Sequence, residues 1–265
     1  MADPALEELL RANPAIWRGR HAIHPATPYS PDSTSAPGQT GQVNQADQTN
    51  SRDQTRTPGA PLSTGFSLLD NSLPVGGWQI GTLTELLIEC DGRGEFSLLL
   101  PALRELTQQH WVALVHPPYI PYAPALSNAG VRLDRTLIVD TDNDTDTLWS
   151  TEQLLRSGLF AAVVCWVNKT SSKQQRRLQL AAETGQSWAV AYRPAANTRE
   201  HSPAALRLHL SLQPGAMLIN IIKSRGQPPR NLVLPLGDFD ASQGVEWPGY
   251  EQDVSPDNTS GNTGK

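Results

Sequence analysis

The chain has 265 residues, 26 of them acidic and 21 basic, for a formal charge of −5. The excess is local: residues 237–265 hold six acids and one base, whereas residues 63–236 hold 14 and 15. The near-neutral body, the two cysteines and the lack of any apolar run near ~20 residues exclude a strongly basic DNA-coating protein, a disulfide scaffold and a membrane-spanning helix.

Residues 3–12 predict a short amphipathic helix, with Leu6, Leu9 and Leu10 on one face and Asp3 as its cap. Trp17 and Arg18 follow, before Gly19 and Arg20. A Trp beside basic residues outside the main domain is a candidate docking element within residues 1–24; it either meets a partner or folds back on the domain. Residues 25–61 are dominated by Ser, Thr, Asn, Gln, Pro and Gly. Such a segment buries too little apolar area to offset its ordering entropy, so it is expected to be a disordered linker. The acidic tail at 237–265 reads the same way, apart from Trp247 and Tyr250.

Residues 62–236 predict one α/β domain. Strands are expected at Thr82–Ile88, Trp111–Val115, Thr136–Val139, Ala161–Val167 and Trp188–Tyr192. Helices are expected at Ser97–Gln108, Tyr122–Gly130, Thr147–Ser157 and Ser171–Glu183, with Gly130 and Gly158 as stops. This βαβα order implies a mostly parallel sheet covered by helices. Leu206, Leu208, Leu210 and Leu212 then alternate with Arg207, His209 and Ser211, which predicts a strand with one buried face. An antiparallel hairpin through Met217–Lys223 and a last strand at Asn231–Leu236 should end the domain.

The turn after the first strand is the place to test for a phosphate-binding loop. It reads Glu89-Cys90-Asp91-Gly92-Arg93-Gly94-Glu95-Phe96-Ser97. Aligning Gly94 with the second Gly of G-x-x-x-x-G-K-[ST] puts Glu89 at the first Gly, Glu95 at the Lys and Phe96 at the metal-binding hydroxyl. Glu89, Asp91 and Glu95 would repel a tetraanion, and Arg93 does not restore the balance. The carboxylate expected after the buried strand, which would hold Mg²⁺, is replaced by Trp166. No acid follows Val112–Val115 to activate water; His116-Pro117-Pro118-Tyr119 stands there instead. These losses predict a degenerate nucleotide loop without ATP hydrolysis, a chain without catalysis and no cofactor.

Asp140, Asp142, Asp144 and Asp146 alternate as in a calcium loop, but Thr145 and Thr151 occupy the positions that need Gly and Glu. They read as a solvated loop entering a capped helix, and no metal site is expected. Lys173, Arg176 and Arg177 read as a wet helix face. Arg199, Arg207, Lys223, Arg225 and Arg230 face Glu200 alone between 199 and 230. That is either a patch for nucleic acid or an acidic partner, or a solvated loop. In the first case the acidic tail should screen it.

Several strings together resemble known families. Leu62-Ser63-Thr64-Gly65, Leu68-Leu69-Asp70, Gly76-Gly77-Trp78, Gly81 and Thr84-Glu85-Leu86 resemble the entry to a RecA-type core. Trp17-Arg18-Gly19, the run Pro117 to Leu126, Trp149, Leu155-Arg156-Ser157-Gly158 and Lys223-Ser224-Arg225-Gly226 resemble the ImuA family of translesion-synthesis cassettes. That resemblance implies a RecA-like, non-catalytic adaptor induced by DNA damage; a cytoplasmic location is expected separately, from the two cysteines in apolar surroundings. The implied partners are an ImuB-like polymerase homologue, an alternative DNA polymerase and RecA, with DNA contact in reach. The residues expected to make partner contact are Trp17 and Arg18, together with Lys223, Arg225 and Arg230 of the basic segment. The stretch from Thr84 to Trp166 also resembles SulA, which implies instead a division inhibitor that binds the tubulin-like FtsZ.

Overall fold

The computed structural model describes residues 16–18 and 61–235. The expected helix at 3–12, most of the linker and the tail lie outside the described residues. Nine strands form one mixed sheet: β1 Ile16–Arg18, β2 Leu83–Ile88, β3 Trp111–Val115, β4 Thr136–Val139, β5 Phe160–Trp166, β6 Trp188–Pro194, β7 Leu206–Gln213, β8 Ala216–Ser224 and β9 Arg230–Pro235. Their order is β1-β4-β3-β5-β6-β2-β7-β8-β9. From β4 to β7 every pairing is parallel, whereas β1, β8 and β9 pair antiparallel with their neighbours. The backbone of Trp17 stands opposite Ile138 and that of Arg18 opposite Leu137, so this element pairs with its own chain.

The helices are α1 Ser67–Asp70, α2 Leu100–Thr107, α3 Ala123–Asn128, α4 Asp144–Arg156 and α5 Ser172–Gly185. Two differ from expectation for local reasons. Helix α4 starts three residues early because the Asn143 side chain accepts from Thr145 N and Asp146 N, both at 3.0 Å, and so caps it. The expected helix at 97–108 splits into a 3₁₀ turn at Glu95–Leu98 and α2. Gly94, with φ of 103°, sets the turn off from the preceding loop. Helix α5 begins with a capping box between Ser171 and Gln174.

Side chains alternate along the strands and build two cores. On one face Leu86, Ile88, Val164, Val190, Leu208 and Ile219 pack with Leu103 and Leu106 of α2. On the other, Leu83, Val163, Cys165 and Ala189 pack with Leu154 and Leu155 of α4 and Leu178 of α5. Helices α4 and α5 approach so closely that a Cβ at Gly185 would meet Leu155 O at 1.7 Å. Burial pushes the Cys165 thiol up to about 12, which keeps it protonated.

A charged network joins β6, β2 and β7 under the 195–200 segment. The fully buried Glu85 meets Arg193 Nη1 at 3.0 Å and Arg207 Nε at 2.6 Å. Arg193 also reaches Glu200 at 2.9 Å. Arg207 donates to the carbonyls of Asn197, Thr198 and Glu200, and so pins the loop that covers it. Period-two alternation had placed Arg207 on a wet face; its partner across the sheet buries it. Removing one member leaves an uncompensated buried charge, at a cost of about 3–5 kcal/mol. Glu85→Ala is therefore expected to lose stability of that order in urea unfolding; a change under ~1 kcal/mol would contradict the network's role.

Candidate functional site

All loops that follow the parallel strands leave from one edge of the sheet, where chemistry is usually placed in α/β folds. Loop 89–97 follows β2, loop 116–122 follows β3, loop 140–143 follows β4 and loop 167–171 follows β5. His116 N donates to Val139 O at 2.8 Å, tying the second loop to β4. Asp144 accepts from Asn168 N and Lys169 N, both at 3.0 Å, tying the third to the fourth. Asp144 thus serves loop closure, and Asp146, which accepts from Asn143 Nδ2 at 2.7 Å, the helix start. Among the described residues no group of three or more His, Cys, Asp or Glu is placed to hold a metal.

In loop 89–97 the residue that corresponds to the phosphate-binding Lys does more than repel. Glu95 is buried, and its carboxylate accepts from Gly92 N and Arg93 N, both at 2.8 Å. Consecutive N–H groups beside a left-handed Gly form a nest for an anion. Here the chain supplies its own. Glu89 and Asp91 are exposed, so the three carboxylates do not converge on one ligand position. Partial desolvation in the loop raises the Asp91 carboxyl above its usual range, and the Glu95 charge adds to this. The Ser97 hydroxyl is also committed, donating to Gly94 O at 2.6 Å.

Below the loop lies an aromatic stack. Trp166, where a metal-binding acid was sought, lies on Tyr192 with centroids 5.0 Å apart and planes at 12°. Phe96 packs on Trp166 at 5.9 Å. The Tyr192 hydroxyl donates to Glu95 O at 3.2 Å, and burial drives its pKa far up, so it stays a donor. Carboxylate and rings together make a closed support under the loop, and the expected nucleotide loop is not supported.

Next to this loop the chain exposes large apolar side chains. Tyr119, Ile120 and Tyr122 are 65, 87 and 71% exposed. Pro117, Pro118, Pro121 and Pro124 surround them. A Cβ at Gly92 would come within 2.8 Å of Tyr119 Cε2, so the Tyr119 ring lies against the glycine of the neighbouring loop.

The basic residues lie elsewhere. Strand β7 runs parallel to β2, so β8 returns and leaves Ser224 at the opposite edge. Lys223, Arg225 and Arg230 are exposed there. Lys223 Nζ donates to Ser202 O at 2.7 Å, and its pKa is lowered by partial burial, then by Arg207 and Arg225. The chain leaves β9 at Pro235, opposite Ala216, so the acidic tail departs from the far edge, roughly 27 Å away along β8. Trp17 and Arg18 sit on β1 at the lateral border, and Arg207 is buried. The expected contact residues therefore do not form one surface. Sequence reasoning passed over Glu85 and Arg193; the available signal was a lone acid inside the apolar run Leu83–Ile88.

Comparison with known proteins gives a match of residues 81–189 to the family described as cell division inhibitor SulA. A SulA from Pectobacterium carotovorum subsp. carotovorum is 28% identical over 116 residues, covering 43% of this chain and 69% of that one. Those from Photorhabdus laumondii subsp. laumondii and Pseudomonas aeruginosa are each 31% identical, over 114 and 94 residues. They are covered to 64 and 58% of their length, with 43 and 34% of this chain matched. The crystal structure of SulA from Pseudomonas aeruginosa aligns with a TM-score of 0.37 at 28% identity, over 42% of this chain and 97% of that one.

These findings correct the leading expectation. The ImuA resemblance, with its translesion adaptor role and its ImuB-like, polymerase, RecA and DNA partners, gives way to similarity with SulA. Leu62-Ser63-Thr64-Gly65 and Lys223-Ser224-Arg225-Gly226, which carried the RecA-type and ImuA resemblances, lie outside residues 81–189. Their residues have structural work. Ser63 Oγ donates to Asp70 Oδ2 and Thr64 N to Asp70 Oδ1, both at 2.8 Å, folding the entry around α1. The segment from Lys223 to Leu234 builds the β8–β9 hairpin.

Two outcomes test the self-occupied loop. Glu95→Ala strips the N–H groups of Gly92 and Arg93 of their charged acceptor and is expected to cost about 1–3 kcal/mol in denaturant unfolding. An unchanged midpoint would show that the loop does not depend on this carboxylate. For Asp91 the raised folded pKa favours the protonated form on folding. Its contribution is full below the unfolded pKa and lost as pH rises through the folded value. Asp91→Asn is thus expected to raise Tm at neutral pH, with the gain fading as pH falls through the carboxylate range; a gain that grows toward acid would reverse the assigned sign.

Proposed function

We propose that the chain is a SulA-like inhibitor of cell division that acts in the cytoplasm by binding FtsZ and performs no catalysis of its own. The observation that carries this reading is the match of residues 81–189 to the SulA family. That segment runs from just before β2 into β6 and includes the whole loop edge described above. The filled loop supports a binding role over a nucleotide-driven one: Glu95 takes the anion nest, and Phe96, Trp166 and Tyr192 take the space beneath it. We also read the sheet as a RecA-type core in which the loop after β2 is a rigid support rather than a phosphate-binding loop. The parallel block from β4 to β7, with β2 inside it and the antiparallel β8 and β9 beyond, is in keeping with that reading.

Induced expression in a rod-shaped bacterium is expected to give filaments with undivided cytoplasm. The purified chain is expected to lower sedimentable FtsZ polymer and its GTP turnover severalfold at equimolar ratio. Normal division together with unchanged FtsZ polymer would overturn the proposal.

A further inference from the structure

We infer that the loop from Tyr119 to Tyr122 is the docking tip of this protein, and that it fits a protein surface offering an apolar pocket rimmed by basic groups. The inference rests on the division-inhibitor reading and names the surface through which that reading would work.

Three features of the tip point to binding. Ile120, the most exposed large apolar residue described, sits between two exposed tyrosines. Single exposed apolar residues are ordinary, but three within four positions form a patch. Tyrosine is also enriched among interface anchors, because it offers much contact area with few rotatable bonds. The tip is held in advance as well. Four prolines between 117 and 124 fix backbone angles, and Tyr119 rests on the Gly92 face of a loop that Glu95 locks from inside. A tip ordered before contact loses little entropy on binding.

The surroundings select the partner's chemistry. The loops and helix starts along this edge carry Glu89, Asp91, Asp140, Asp142, Asp144, Asp146 and Glu200, against Arg93, Lys169, Lys173 and Arg199, a balance that stays acidic. This acidic rim repels nucleic acid and anionic lipid. A second copy meeting it face to face would bring like charge against like, since a two-fold contact joins a patch to itself. The acidic tail, −5 over residues 237–265, is no better suited. A protein with an apolar pocket and a basic border satisfies both the tip and the rim.

The test uses the full chain with Ile120→Asp, Tyr122→Asp and, as a control on α5, Leu180→Asp. Circular dichroism and Tm establish folding; because Ile120 and Tyr122 stand free of the core, both variants are expected to melt like the unaltered chain. Surface plasmon resonance against purified FtsZ should show at least tenfold weaker binding for each tip variant and none for Leu180→Asp. Association should also slow as salt rises, since opposite charges steer the encounter. If the unaltered chain and both tip variants bind FtsZ equally, the docking tip is wrong and the division-inhibitor reading stands. If the unaltered chain does not bind FtsZ, both fall. Association that speeds up with salt would overturn the basic rim.

Discussion

The Glu85 carboxylate has no access to water, and each of its oxygens is met by a different arginine. It lies on β2, whose six residues are all buried and which is flanked by the strands that supply those arginines, Arg193 on β6 and Arg207 on β7. An ionised carboxylate in such a place is tolerated only with partners, so sheet register and charge pairing require one another. A slip of β7 by one residue would turn Arg207 to the opposite face and leave Glu85 with half its compensation. Arg207 extends the constraint further. Its guanidinium holds three carbonyls of the 195–200 segment, and thereby roofs this part of the sheet.

The same economy governs the loop edge. A nest of N–H groups needs an anion, and a buried aromatic stack needs rings to complete it. Glu95 and Phe96, neighbours in sequence, provide one each. The result is a rigid platform with its donors occupied, beside which the proline-bounded tip protrudes. Rigid support under an exposed loop is a usual arrangement for recognition.

Much of the architecture was legible in residue patterns. The apolar runs from Trp111 and Ala161 became inner strands, and the alternating leucines from Leu206 became β7 with its leucines on the core side. Three features were hidden for physical reasons. Strand β1 is three residues long, and its pairing depends on an edge more than a hundred residues away. Arg207 keeps the spacing of a solvent-facing residue, because alternation reports which face a side chain takes and not what covers that face. Glu95 was legible as the loss of a lysine but not as a gain, since the bonds to Gly92 N and Arg93 N need a backbone already turned by Gly94. Individually modest strings favoured the ImuA family, a reading that the match of residues 81–189 to SulA overturns.

The buried charge network also orders events during synthesis. Glu85 is joined to partners 108 and 122 residues later in the chain. A ribosome translating this message releases β2 long before either arginine exists, and an unpaired carboxylate cannot enter a closed core. The segment from β3 to β5 can gather first, because β3 pairs with both β4 and β5. Glu85 on β2 gains its second partner only once β7 has left the exit tunnel. Truncated chains ending before Arg207 are thus left with an open, carboxylate-bearing cleft, a mark by which quality control can tell an unfinished copy from a finished one.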